Sequence, residues 1–165
     1  MAVDMFVVMN SASKIEGETV DKVYKAKKGI DVLAWSWGMS QSGTTHQGSG
    51  GGAGKVNVQD LSFTKWVDKS SAPLMLACCA GTHIPDATLV VRKAGDTPLE
   101  YIKITMTDLI IASVSTGGSG GEDRLTENVT LNFAKVKFEY AMQDSKGGKD
   151  TGGQMAWNIA ENVKE

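Results

Sequence analysis

The sequence predicts a small, mainly β protein: an antiparallel β-barrel or strongly curved β-sandwich, with one short α-helix and long glycine-rich loops. Three observations carry this. Most of the 165 residues alternate apolar and polar with a period of two, the signature of half-buried strands. The alternation slips phase in two places, as it does where a bulge or sharp bend lets a sheet curl towards closure. Glycine-rich stretches at Gly43–Gly54, Gly117–Gly121 and Gly147–Gly153 punctuate the alternating runs.

The elements follow in chain order. From Ile30 to Met39, Leu33, Trp35, Trp37 and Met39 share one face, and Ala34, Ser36 and Gly38 form a small-residue stripe on the other. The large face is expected to be core. The small face lines a cavity, abuts a neighbouring chain or lies under a covering loop. A first slip separates Val56 and Val58 from Leu61 and Phe63. The spacing then predicts a helix over about residues 71–80, with Ser70 or Ser71 as its cap, Pro73 in its first turn and Gly81 at its end. Its Leu74, Ala77 and Cys78 make an apolar stripe suited to plugging one end of a barrel. Ile102, Ile104 and Met106 face one way in a later strand. Val129, Leu131 and Phe133 do so in the next, until a second slip at Ala134-Lys135 passes the apolar phase to Val136, Phe138 and Tyr140.

Composition narrows the function. One domain, residues 1–165, suits this length. With 41% hydrophobic and 22% charged residues the chain is ordinary for a globular protein. A net charge of -2 argues against nucleic acid as a partner, and the Lys25, Lys27, Lys28 cluster reads as the coat of a turn. No stretch approaches the ~20 apolar residues that cross a bilayer, so membrane insertion is not expected. The opening Met1-Ala2-Val3-Asp4-Met5 lacks the basic start and apolar run of a signal peptide. Synthesis and folding in the cytoplasm are therefore expected, and export needs another route. Adjacent Cys78 and Cys79 are ill-placed for a disulfide with each other. With His83 alone nearby, they lack a zinc-like ligand set and read as small core residues.

Several catalytic motifs are approached and missed. Ser49-Gly50-Gly51-Gly52-Ala53-Gly54-Lys55 resembles a phosphate loop, yet Ser49 replaces its first glycine, Val56 replaces its hydroxyl residue, and a strand follows. Gly118-Ser119-Gly120 has Asp123 where a dinucleotide turn needs its third glycine, and no βαβ unit surrounds it. His46 sits in a glycine-rich loop and His83 just past the helix, each without an evident partner. Glu16 and Glu18 flank Gly17 in a polar turn. No catalytic residue, cofactor or metal is expected. The rival reading is a cytoplasmic β-barrel hydrolase or small-ligand-binding protein using His46 or His83.

The opening Met1-Ala2-Val3-Asp4-Met5-Phe6, Gly17-Glu18 and the IDVLAWSWG strand at Ile30–Gly38 come in a set order. After them come GKVNVQDL at Gly54–Leu61, SVSTGGSGGEDRLTE at Ser113–Glu127, and Trp157-Asn158-Ile159. Over nearly the full chain these resemble the haemolysin-coregulated protein (Hcp) family of type VI secretion systems. One departure is the lysine-rich Val23–Lys28, where many relatives carry a histidine shortly before the tryptophan strand.

The resemblance implies a structural subunit rather than an enzyme. Six copies form a ring, and rings stack into a hollow tube inside a contractile sheath, capped by a spike protein of the valine-glycine repeat type. Contraction would carry the subunit to the extracellular space or a target cell, and small effector proteins would travel in the ring lumen. Ser36, midway along the small stripe, is the expected lumen or cargo contact. Thr44, Thr45, His46 and Gln47, in the long glycine loop, are the expected contacts between subunits or stacked rings. Since Glu165 closely follows the last motif, no effector extension is expected.

Overall fold

The structure, a computed structural model, describes residues 3–43, 54–95 and 97–165. In chain order these form β1 (Val3–Asn10), β2 (Ile30–Ser36), β3 (Met39–Ser40), β4 (Asn57–Val58) and β5 (Leu61–Trp66). There follow α1 (Ser71–Ala80), β6 (Ile84–Lys93), β7 (Leu99–Thr116), β8 (Thr126–Gln143), β9 (Lys149–Asn158) and β10 (Val163–Lys164). Six strands close a barrel in the order β8-β5-β2-β1-β6-β7 and back to β8, each pairing antiparallel. The expected barrel is therefore present. Its interior is filled by Val7, Ile30, Phe63, Leu89, Ile104, Met106 and Leu131, among others. β9 and β10 extend the sheet from the later half of β8, and β3 and β4 form a separate ribbon.

The phase slips take three physical forms. In β8 the buried residues run Val129, Leu131, Phe133 and then Val136. In β7 they run Ile104, Met106, then Leu109, Ile111. Met106 faces Val136 and Leu109 faces Phe133, so the two strands change phase together without losing register. Asp108, at φ 54°, turns the left-handed corner in β7. The slip at Ala134-Lys135 is thus a shared bend, and it lies where β8 exchanges β5 for β9 as its neighbour. The slip before Leu61 is a change of sheet, from the β3–β4 ribbon into the barrel.

The third form corrects the reading of β2. Val32 pairs with Lys65 and Ala34 with Thr64, leaving Leu33 as an extra, bulged residue. Leu33 is consequently exposed, and Val32 joins Trp35 and Trp37 on the inner side. Met39, in the ribbon, is also exposed. Beyond the bulge the small stripe keeps its outward face.

Helix α1 matches the predicted span and ends at Gly81, whose φ of 62° is the left-handed cap conformation that glycine adopts without a Cβ clash. Ser70 holds the cap position but makes no side-chain cap bond. Ser71 does more: its Oγ donates to Glu127 Oε1 at 2.6 Å and accepts from the Asp68 amide at 3.0 Å. Both groups belong to a buried charge cluster. Lys65 Nζ pairs with Glu127, lies 3.0 Å from Asp68 Oδ1 and donates to the Trp66 carbonyl at 2.8 Å. A buried ammonium is tolerated only with such a full set of acceptors. The cluster ties the helix start to β5 and β8, while Leu74 and Ala77 pack into the barrel core.

Residues 11–29 cross the outside of β1 and β6. Buried Tyr24 stacks on Phe6, with ring centroids 4.2 Å apart and planes 10° from parallel, and its hydroxyl donates to Glu100. Arg92 pairs with Asp21 and with Asp4, the latter at 3.1 Å, and its guanidinium lies 5.2 Å from the Phe6 ring centre. Gly17 meets the backbone of Gly29 so closely that an added Cβ would fall 2.0 Å from the Gly29 carbonyl oxygen.

Candidate functional site

Beyond the Leu33 bulge, β2 presents Ala34 and Ser36 outward. The register across the barrel extends them into two rows. Ser36 pairs with Ser62 of β5, which pairs with Thr130 of β8, which pairs with Ser113 of β7. Ala34 likewise leads to Thr64, Asn128 and Ser115. The residues at the intervening inward positions, Trp35, Phe63, Val129 and Val114, join the hydrophobic core. Strand alternation thus converts one buried apolar layer into an outer wall that holds only small side chains.

The wall is knitted to itself. Ser62 Oγ and Thr130 Oγ1 lie 3.1 Å apart, and Thr64 Oγ1 donates to Asn128 Oδ1 at 2.7 Å. Ser36, Ala34, Asn128, Ser113 and Ser115 are exposed, and Ala34, Ser36, Ser62, Thr64 and Asn128 surround a shallow depression of about 190 Å³. The two rows contain no charged residue and no large apolar one. Such a surface can offer weak, exchangeable hydrogen bonds over a broad area, and it has no groups arranged for proton transfer or nucleophilic attack.

The other expected site residues fare differently. Thr44, Thr45, His46 and Gln47 lie outside the described residues. The roots of their loop are close together, because an added Cβ on Gly54 would fall 2.7 Å from Ser42 Oγ. The β3–β4 ribbon, Met39 facing Val58, clamps the same roots. His83 has a partner that spacing did not show, with Nε2 3.3 Å from Asp108 Oδ1. Both side chains are more than half exposed. Cys78 packs against the core as expected, but Cys79, also expected there, is exposed.

Nothing in the sequence marks Ser62, Thr64, Asn128, Thr130, Ser113 and Ser115 as companions of Ser36. Their signal was the polar phase of three alternating strands, readable as one surface only once the register is known.

Comparison with known proteins gives this wall a context. Residues 6–140 match the family model described as type VI secretion system effector, Hcp. The chain is similar to protein hcp1 of Pseudomonas aeruginosa, with 58% identity covering 99% of each chain. It is also similar to the solved structure of Hcp1 from Salmonella typhimurium, 41% identical over the whole of both chains with a TM-score of 0.78. A type VI secretion system effector from Yersinia pestis is 35% identical, covers 94% of this chain and all of its own, and superposes with a TM-score of 0.74. On the strength of the family match and a relative 58% identical from end to end, this barrel belongs to the Hcp family of type VI secretion systems.

Proposed function

We propose that the chain is the tube subunit of its secretion system. Six copies close into a ring, with the Ser36 wall turned to the lumen, and rings stack into a hollow tube. A contractile sheath would surround that tube, a spike protein of the valine-glycine repeat type would cap it, and small effector proteins would ride inside. The subunit would leave the cell with the tube and would act without catalysis.

The observation that carries this reading is the bare wall itself. An outer face of four hydrogen-bonded strands normally displays charges or is covered by another element. Here eight consecutive outward positions are small and uncharged, which suits a passage wall that must hold folded cargo loosely and release it. A second feature supports the ring. Beyond β8, Trp157 and Asn158 of β9 pair with β10 and the Ala156 carbonyl accepts from the Glu165 amide, so Lys149–Met155 present a free strand edge among the described residues. Free edges invite a neighbouring chain, and a head-to-tail contact that closes into a ring leaves none exposed.

Native mass spectrometry tests the ring. Six copies of the 17.5 kDa chain should give a species of about 105 kDa, and a dominant monomer at micromolar concentration would overturn it. Ser36→Gln tests the lumen. The ring should persist on size-exclusion chromatography, while co-expressed effectors should lose their protection from degradation. A lost ring would place Ser36 in a packed subunit contact, and normal cargo retention would remove it from the lumen.

A further inference from the structure

The turn at residues 22–28 carries Lys22, Lys25, Lys27 and Lys28, all exposed. It is held rigidly. Asp21 Oδ1 accepts from the amides of Val23 at 2.9 Å and Tyr24 at 3.0 Å, and the Gly29 amide donates to the Tyr24 carbonyl at 2.9 Å. Tyr24 beneath it is 1% exposed and clamped by Phe6, Glu100 and the Arg92–Asp21 pair. Lys28 pairs with Glu16, and Lys27 Nζ leans 5.0 Å from the Tyr24 ring centre. Lys22 and Lys25 have no ion-pair partner among the described residues. Beside them two valines point into solvent, Val20 at 88% exposure and Val23 at 49%.

Folding alone gains nothing from Lys22 and Lys25, which lack ion-pair partners among the described residues, and forgoes the burial energy of Val20 and Val23 on the same platform. We propose that this turn is a docking surface for an acidic, amphipathic protein segment, whose carboxylates meet the lysines and whose apolar face covers Val20 and Val23. Nucleic acid fits less well, because the sole aromatic of the turn, Tyr24, is buried and cannot stack on a base. An anionic bilayer also fits less well, since two valines and four lysines fall short of the apolar area and the basic cluster that hold a protein on a membrane surface. In the closed strand order β6 lies opposite β5 and β1 opposite β8, so the turn faces away from the Ser36 wall. Its place on the outer circumference of a ring rests on the lumen reading given above; its binding chemistry does not.

The test is fluorescence anisotropy with a labelled synthetic helical peptide bearing glutamate on one face and leucine on the other. Wild-type protein should bind it, more weakly as salt rises, and the K22E/K25E/K27E variant at least about tenfold more weakly. No binding by wild type, or equal binding by the variant, overturns the proposal. So does tighter binding to a single-stranded oligonucleotide or to phosphatidylserine vesicles than to the peptide. If the triple variant fails to fold, K22Q/K25Q gives the same comparison with two charges neutralised. Acylation of Lys22 and Lys25 by an amine-reactive ester, read by mass spectrometry, should proceed equally in ring and monomer. Protection in the ring would bury the turn between subunits and overturn the proposal. A chain that never forms rings would sink the tube reading while leaving the peptide titration decisive.

Discussion

The outer side of β1 and β6 and the outer side of β2, β5, β8 and β7 belong to one barrel, yet they are finished in opposite ways. On the first, Phe6, Val8, Val90 and Arg92 face outward, and the 11–29 segment lies over them as a small second core with its own stacked ring pair and ion pairs. On the second, the two rows running from Ser36 and Ala34 present only serines, threonines, an asparagine and an alanine, and nothing from the same chain covers them among the described residues. Large outward side chains require a cover because leaving them wet forfeits their burial energy. Small hydroxyl-bearing ones lose little in water. A bare face built this way is complete as it stands, and its lack of cover is a property encoded residue by residue.

That contrast can be broken by mutation, beginning with the covered face. Tyr24→Ala removes the stacking partner of Phe6 and the Glu100 hydrogen bond together, and should cost about 3–5 kcal/mol in urea unfolding. A cost near zero would mean that the 11–29 segment merely drapes over the barrel.

Asp21→Asn should cost less, about 1–3 kcal/mol, because Arg92 keeps Asp4 while losing its nearer carboxylate. Its pH dependence has a definite sign. The Arg92 guanidinium, bonded to Asp21, holds that carboxyl below its ordinary value against the opposing effect of burial, and the Tyr24 and Val23 amides assist. A folded-state value below the unfolded one means that the ionised form stabilises the fold above about pH 4, the unfolded Asp range. This contribution fades as pH falls through the lower folded value. The gap between wild type and Asp21→Asn should therefore close on acidification below pH ~4, and a gap that widens there would refute the assignment.

On the bare face the effect should be smallest. Ser62→Ala removes one half-exposed hydroxyl contact with Thr130 and should cost no more than about 0.5–1 kcal/mol in the isolated chain. If it cost as much as Tyr24→Ala, the two faces would share one structural role and the contrast would be lost.

Much of this architecture could be read from the residues. Strand alternation gave the β class, and the Ser/Pro/Gly punctuation gave the helix at about residues 71–80, where it lies. The failures share a cause. Leu33 has the spacing of a core residue and is pushed out by a bulge that no local pattern announces. In β5 the positions Lys65 and Trp66 look inverted: the lysine points inward and the tryptophan outward, under Arg124 at 4.6 Å. Only the approach of Glu127 from a distant strand, with Asp68 three residues on, makes a buried lysine tolerable. The wall too depends on registers that join residues 13 to 68 positions apart, so Ser36 was visible as a small residue while its companions were not. The Asp108 partner of His83 was hidden for the same reason.

The position of β8 in the chain has a consequence for synthesis. β5 finds one neighbour in β2 and the other in β8, and the barrel closes only through β8. On a ribosome adding roughly 5–20 residues per second, some 6–25 s pass between the start of the chain and the first residue of β8. Through much of that interval the nascent chain holds an open, apolar-faced sheet with the β5 edge unpaired, the form of a β protein most prone to capture by another nascent chain. The chain is thus most vulnerable before the β7–β8 hairpin is finished.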